Sequence, residues 1–184
     1  MSNITKKAMA QSLKKMLLLK DLDKITITDI TNDCGINRQT FYYHFKDIYD
    51  LLEWIFANEV VEKIEKETTI ETWQENFKYV LDYMLKNKKF IIKTYNSLSR
   101  KTLIDFLFKQ YNTIFIEIVN DLSKNYNITR ENKVFIANFY KYGFAGIIEN
   151  WIVTEMKESP ESIIKKLDVM ISGSFEEAVK KMSN

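Results

Sequence analysis

The sequence predicts an all-α protein of about nine helices. Only four glycines and one proline occur in 184 residues, so few positions favour a turn or interrupt a helix. Apolar side chains recur at steps of three and four residues along most of the chain, which is the spacing of one helix face. The length suffices for one large domain or two smaller ones with a buried core. We therefore expect helices packed against helices.

The first two helices are predicted over residues 5–20 and 28–34. Thr28 is expected to be the N-cap of the second helix. Gly35 follows that helix, at a position where a helix end favours a residue that can take a positive φ. The core of this region is expected to receive apolar side chains of the first helix, namely Ala8, Leu13, Met16, Leu17 and Leu19.

The third predicted helix, residues 38–44 with Asn37 as its N-cap, divides into two faces. Phe41 and Phe45 are four residues apart and are expected to face the core, whereas the opposite face is polar and aromatic. A helix this short is not stable alone, because nucleation is costly and few hydrogen bonds follow it. The second and third helices thus form a helix-turn-helix, a motif whose second helix enters the major groove of DNA.

The residues of this motif resemble the DNA-binding domain of TetR-family transcriptional regulators. The resemblance is carried by I-T-x-x-D-I at residues 25–30, C-G-I at 34–36 and R-Q-T-F-Y-Y-H-F-K-D at 38–47. The run R-Q-T-F-Y-Y-H-F is most similar to the branch that contains the dihydroxyacetone kinase activator. The resemblance covers about residues 5–60. It implies a homodimeric regulator that binds a palindromic operator and responds to an effector at its C-terminal domain.

Charge and side-chain position predict the DNA contacts. Residues 1–46 carry eight Lys and Arg against four Asp, a net charge of +4, and the rest of the chain carries −2. Gln39, Thr40 and Tyr42 are expected to reach base edges, and Arg38 a guanine or a phosphate. Tyr42 or Tyr43 alone could instead cover the core, but consecutive residues cannot both turn inward. The full predicted set is Thr28, Asn37, Arg38, Gln39, Thr40, Tyr42, Tyr43, His44 and Lys46.

A domain boundary is predicted at the start of the fourth helix. Residues 1–46 are expected to bind DNA, and residues 47–184 to form a helical regulatory and dimerisation domain. The fourth helix, capped by Asp47, is predicted to continue to about Glu67 without glycine or proline and so to transmit movement between the domains. Five further helices are predicted over residues 73–87, 88–98, 100–125, 130–157 and 160–181, with a disturbance at Gly173.

The predicted eighth helix is apolar on nearly every side, and such a helix is normally buried all round. Intrachain packing is one explanation. The other, which the family resemblance implies, is a homodimer in which the eighth and ninth helices of two chains form a four-helix bundle. The predicted interface residues are Phe139, Gly143, Gly146, Ile147 and Trp151.

Aromatic side chains are frequent in the C-terminal part. At helical spacing they are usually core, but in a helical bundle some of them can also line a ligand cavity, here among the fourth to eighth helices. The effector is an unidentified small molecule or a partner protein, and a partner protein would favour activation over repression. The predicted ligand residues are Trp54, Phe77, Tyr83, Tyr95, Phe106, Tyr111, Phe115 and Tyr142.

Several function classes are not expected. A single histidine excludes a multi-histidine metal site, and no glycine-rich phosphate loop occurs, so we expect no cofactor and no enzymatic activity. Cys34 and His44 are a poor nucleophile–base pair, because Cys34 falls on the inner face of its helix. A single cysteine and the lack of a signal sequence or apolar span suit a cytoplasmic protein. The alternative function is a helical interaction protein or coactivator subunit with weak or lost DNA binding.

Overall fold

The computed structural model describes residues 2–60, 69–97 and 100–183, and within them it contains only helices, turns and loops. The helices are α1 (Ser2–Leu19), a short 3-10 helix (Leu22–Lys24), α2 (Ile27–Cys34), α3 (Arg38–His44), α4 (Ile48–Glu59), α5 (Trp73–Lys86), α6 (Lys88–Tyr95), α7 (Arg100–Leu122), α8 (Arg130–Val153), α9 (Pro160–Ile171) and α10 (Ser174–Lys181). The all-α prediction is confirmed. None of the described helices is long and apolar enough to cross a membrane.

The chain forms two compact units. Unit 1 comprises residues 1–63 and 87–106, and unit 2 comprises residues 64–86 and 107–184. Unit 1 therefore holds α4 and α6 in addition to residues 1–46. The compact units do not divide at residue 46. The predicted boundary there separates a DNA-binding part from a regulatory part, and this functional division stays a prediction.

Unit 1 is built around α1, which contacts α2, α4 and α6. Leu13 and Leu17 of α1 are fully buried, together with Ile30 of α2 and Phe41 of α3. Leu19, expected in the core, is 82% exposed, because it lies at the C-terminal end of α1. The ion pair between Lys14 and Glu59, with Nζ and Oε2 2.6 Å apart, joins α1 to the end of α4.

The fourth helix starts where predicted and ends earlier. The Asp47 side chain accepts a hydrogen bond from the amide of Asp50, which caps α4. The helix ends at Glu59, with Val60 as its C-cap. The rest of the predicted helix, to about Glu67, falls in residues 61–68, which lie outside the described part of the chain. The proposed transmission through an uninterrupted helix therefore stays a prediction.

Unit 2 contains α5, most of α7, and α8 to α10. Thr129 and Ser159 cap α8 and α9 through hydrogen bonds from backbone amides three residues later. The predicted ninth helix is two helices, because Gly173 adopts a left-handed conformation (φ 76°) between α9 and α10. The core of the unit combines aliphatic side chains with large aromatic ones, which are Trp73, Phe77, Tyr111, Phe115, Tyr140, Phe144, Trp151 and Phe175.

Candidate nucleic-acid interface

The helix-turn-helix begins with a capping box. The hydroxyl of Thr26 accepts a hydrogen bond from the Asp29 amide (3.1 Å), and the Asp29 carboxylate accepts one from the Thr26 amide (2.8 Å). The prediction of Thr28 as the N-cap is wrong by two residues. The spacing Thr-x-x-Asp was visible in the sequence and identifies Thr26. Thr28 lies exposed in the first turn of α2, where it remains a predicted phosphate contact.

The turn between α2 and α3 depends on Gly35. Gly35 has φ 64° and ψ 31°, a left-handed conformation that costs a side-chain-bearing residue energy. The amide of Ile36 then bonds back to the carbonyl of Thr31 (3.0 Å), which closes the end of α2. The chain is thereby turned directly into α3.

Asn37 caps α3 as predicted. Its Oδ1 accepts two hydrogen bonds from Thr40, one from the amide at 2.8 Å and one from the hydroxyl at 3.0 Å. The two amide hydrogens of the Asn37 side chain are then left to face a ligand. The hydroxyl hydrogen of Thr40 is already engaged.

The inner face of α3 is held by aromatic packing, as the sequence predicted. Phe41 is fully buried, and its ring lies 5.9 Å from that of Phe45. Phe45 contacts Trp54 of α4, with ring centroids 5.9 Å apart. The Nζ of Lys6 lies 5.6 Å above the Phe45 ring, a cation–π contact that no local pattern in the sequence indicated.

The outer face of α3 is polar, aromatic and exposed. Tyr43 is 82% exposed and Tyr42 is 50% exposed, so neither covers the core. Arg38 lies one helical turn before Tyr42, and its guanidinium donates to the Tyr42 hydroxyl at 3.4 Å. Gln39 and Lys46 are also exposed, whereas Thr40 and His44 are half-buried.

The two carboxylates of α2 form ion pairs, Asp33 with Lys15 of α1 and Asp29 with Lys20, the residue that follows α1. The ammonium group of Lys20 lies 2.8 Å from Asp29 and, together with the Thr26 amide, lowers the pKa of the Asp29 carboxyl to about 2. Lys15 similarly lowers the pKa of Asp33 by a hydrogen bond of 2.7 Å. Arg38 has no ion pair with a described carboxylate. The positive charge of α3 is therefore available to phosphates.

The geometry of unit 1 offers no activated nucleophile at Cys34. Burial raises the pKa of its thiol, so the thiol stays protonated at neutral pH. The described residues also contain no group of three or more His, Cys, Asp and Glu side chains that could hold a metal ion.

The predicted ligand residues are only partly brought together. Phe77, Tyr111 and Phe115 line one cavity of unit 2, joined by Trp73 and Phe144, which the prediction missed. Trp54, Tyr95 and Phe106 belong instead to unit 1, where they pack against Phe45, Arg100 and Phe56. Tyr83 is half-buried, and Tyr142 is exposed against Phe108. Three of the eight predicted residues thus share one cavity of unit 2, and the role of the eight in ligand binding stays a prediction.

The predicted dimer residues divide between two faces of α8. Phe139 is 69% exposed, and Gly143, Gly146 and Ile147 lie exposed beside it. The described part of a single chain therefore does not cover α8 on every side, which is contrary to the intrachain explanation, and burial of this face in a homodimer stays a prediction. Trp151 is a poor interface residue, because it is 3% exposed and its indole nitrogen donates to the Glu158 carbonyl of its own chain.

Comparisons with known proteins agree with this architecture. A TetR family model described as "Transcriptional regulator C-terminal region" matches residues 71–173. The chain is 27% identical over 154 residues to the HTH-type dhaKLM operon transcriptional activator DhaS of Lactococcus lactis subsp. lactis (strain IL1403), which covers 83% of this chain and 81% of that protein.

Solved structures have the same fold. The dihydroxyacetone kinase operon activator DhaS aligns with a TM-score of 0.71 and 24% identity over 98% of this chain and 99% of that one. Native NalD, the secondary repressor of the MexAB-OprM multidrug efflux pump in Pseudomonas aeruginosa, aligns with a TM-score of 0.57 and 12% identity over 91% and 93% of the two chains. These relatives are described as regulators of transcription, not as enzymes.

Proposed function

Because the chain belongs to the TetR family of transcriptional regulators, we propose that it binds a palindromic operator as a homodimer, under the control of an effector at unit 2. The observation that carries the proposal is the exposed outer face of α3. That face is fixed from behind by Phe41 and Phe45 and at its start by Asn37. A short helix anchored in this way can enter the major groove without reordering.

The side chains of α3 differ in what they can read. Gln39 offers a donor and an acceptor, which is the pairing for an adenine edge. The hydroxyl of Thr40 already donates to Asn37, so it is left to accept from the amino group of adenine or cytosine. Its methyl group also suits contact with a thymine methyl. We propose that these two side chains and Tyr42 read bases.

The surrounding groups are proposed to hold phosphates. Asn37 presents the hydrogens of its side-chain amide, and Lys46 presents its ammonium group. Near the end of α3, Tyr43 presents its hydroxyl and His44 its imidazole nitrogens. Thr28 is proposed to do the same at the start of α2, where backbone amides also favour an anion. Such contacts position the protein without specifying sequence.

The proposed dimer uses the exposed apolar face of α8. Phe139 supplies bulk, and Gly143 and Gly146 let a second helix approach closely. A Cβ added at either glycine would have no neighbour within 4 Å beyond its own helix, so none of the described residues fills this space. A two-fold dimer would place its two copies of α3 about 34–36 Å apart, or a small multiple of this distance.

The effector is proposed to act on unit 2, most of which lies within the residues that the family model matches. DhaS, the relative that matches along most of both chains, is described as an activator of the dhaKLM operon. We extend the role of activator to this chain. An effector changes DNA affinity only as far as it binds the two conformations differently, and DNA changes effector affinity by the same factor.

The deciding experiment measures binding to the DNA upstream of the chain's own gene. We expect affinity at least about 10³-fold higher than for random DNA of the same length at the same salt concentration. Equal affinity for both DNAs would favour the alternative, an interaction protein with weak or lost DNA recognition.

A further inference from the structure

Lys6 of α1 carries a charge that no carboxylate of the described residues neutralises. Its Nζ instead lies 5.6 Å from the ring centroid of Phe45 and 5.9 Å from that of Trp54. The first twenty residues contain no Asp or Glu, so no acid stands beside Lys6 on its own helix. Three other lysines of this stretch do form ion pairs with carboxylates, namely Lys14, Lys15 and Lys20.

The two aromatic rings hold the ammonium group of Lys6 in place. Phe45 is 3% exposed, and its ring packs against Trp54 with 5.9 Å between the centroids, so the position of both rings is fixed by the fold. The face of an aromatic ring attracts a cation through its quadrupole. It offers no oxygen to the three ammonium hydrogens, which therefore stay free for an anion. Lys6 is only half-buried, so an anion can approach from solvent.

The contact with Phe45 places Lys6 beside the end of α3. Phe45 follows the last residue of α3 and precedes Lys46, the exposed lysine proposed above to hold a phosphate. The rings of Phe45 and His44 lie 6.4 Å apart, and those of His44 and Tyr43 lie 4.9 Å apart. A row of contacts thus leads from Lys6 to the outer face of α3. A DNA strand whose backbone passes this end of α3 comes within reach of Lys6.

We propose that Lys6 binds a backbone phosphate of DNA beside the phosphate assigned to Lys46, which extends the interface from the helix-turn-helix to α1. The inference rests on the proposed function, because it requires α3 to meet DNA. Phosphate contacts carry no sequence information, so Lys6 adds affinity to every DNA alike. Since the two rings already restrict the side chain, the loss of freedom that such a contact normally costs is reduced.

The test compares Lys6→Met with Lys7→Met in the full chain. Methionine keeps an unbranched apolar side chain and removes the charge, and Lys7 is the exposed neighbour on the same helix. The measured quantity is the slope of log affinity against log salt for a duplex of random sequence. Lys6→Met is expected to reduce this slope as much as Lys46→Ala does, whereas Lys7→Met leaves it unchanged. An unchanged slope in Lys6→Met, or an equal reduction in Lys7→Met, would overturn the proposal.

A double variant separates a direct phosphate contact from an effect that passes through Lys46. If each lysine binds its own phosphate, Lys6→Met and Lys46→Ala together reduce the slope by the sum of their single effects. If Lys6 only positions Lys46, the double variant has the slope of Lys46→Ala alone, and the direct contact is refuted. Lys6→Arg keeps the charge and the attraction to the rings, so it is expected to keep the wild-type slope.

Thermal unfolding distinguishes this role from a structural one, and the slopes are measured below the melting temperature of every variant. A lower melting temperature of Lys6→Met with an unchanged slope would show that Lys6 only fastens α1 to the two rings, and the proposal fails. The proposed function has its own readout, the ratio of operator to random affinity. Equal affinity of the wild-type chain for both DNAs would reject operator recognition and leave the comparison of slopes intact. A wild-type chain that binds neither DNA would reject both.

Discussion

At the scale of single residues, Gln39 and Lys46 are proposed to make two kinds of DNA contact. Both side chains are exposed, one on the outer face of α3 and the other just after its end. The amide of Gln39 can pair with a base edge, which differs between sequences, whereas the ammonium group of Lys46 is proposed to contact a phosphate, which does not differ. Their substitutions should therefore separate specificity from affinity.

Gln39→Ala is expected to weaken operator binding by about 1–3 kcal/mol and to change binding to random DNA little. The reason is the loss of a bidentate contact that only the right base can offer. Fluorescence anisotropy on both DNAs measures the difference. Gln11→Ala, at an exposed glutamine of α1, is the control and should change neither affinity. Equal losses on both DNAs would show that Gln39 does not read bases.

Lys46→Ala is expected to weaken operator and random DNA alike. One fewer phosphate contact releases about one fewer counterion, so the slope of log affinity against log salt should fall by about one unit. The measurement is a salt titration of binding to each DNA. Lys165→Ala, at an exposed lysine of α9, removes the same charge from unit 2 and should leave the slope unchanged. A loss confined to the operator would contradict the assignment of Lys46 to a phosphate.

At the scale of elements, the start of α2 combines a helix cap with an ion pair. Asp29 closes the capping box with Thr26 and also binds Lys20, the residue that follows α1. The same carboxylate thus caps the N-terminus of α2 and joins α2 by an ion pair to the segment that follows α1. Its charge should matter for the position of the whole helix-turn-helix.

Asp29→Asn is expected to lower the melting temperature at neutral pH, because the ion pair with Lys20 is lost. The folded pKa of Asp29, about 2, lies below its ordinary value of 3.8, so its stabilisation is complete above that ordinary value and is lost as the pH falls towards about 2. The difference in melting temperature between the two proteins should therefore narrow over this range. Asp23→Asn, at an exposed residue without a described ion pair, should show no such narrowing. A difference that is constant with pH would contradict the role of the charge.

At the scale of the whole molecule, the exposed face of α8 is the feature that one chain leaves uncovered. Its large apolar side chains include Phe135, Phe139, Tyr142 and Val153, all more than half exposed. A monomer rarely exposes so continuous an apolar stripe, whereas a two-fold dimer buries it. Operator recognition by two helix-turn-helix motifs needs such a pairing.

Gly146→Leu is expected to split or misalign the dimer and to abolish operator binding. A Cβ added at Gly146 meets open space among the described residues, so each monomer should remain folded while a second α8 can no longer approach. Light scattering gives the mass and circular dichroism the helix content. Thr113→Leu adds the same side chain to an exposed position of α7 and should leave the dimer intact. A wild-type chain that is monomeric at micromolar concentration would reject the dimer.

Local signals determined the parts of the fold that the sequence predicted. Asn37, Asp47 and Ser159 cap their helices as predicted, because a cap depends only on a side chain and amides two or three residues later. The two faces of α3 were predictable for a similar reason, since the helical period separates Phe41 from Tyr43 whatever surrounds them. The run from Arg38 to Asp47 also carried the family resemblance.

Packing between distant segments decided the rest. Phe139 and Trp151 are both large and apolar on one helix, yet Phe139 faces outward and Trp151 is buried. Trp54 and Phe77 are both aromatic, yet they belong to different compact units. Periodicity states which residues share a helix face but not which helices cover that face, because this depends on contacts between residues far apart in the chain.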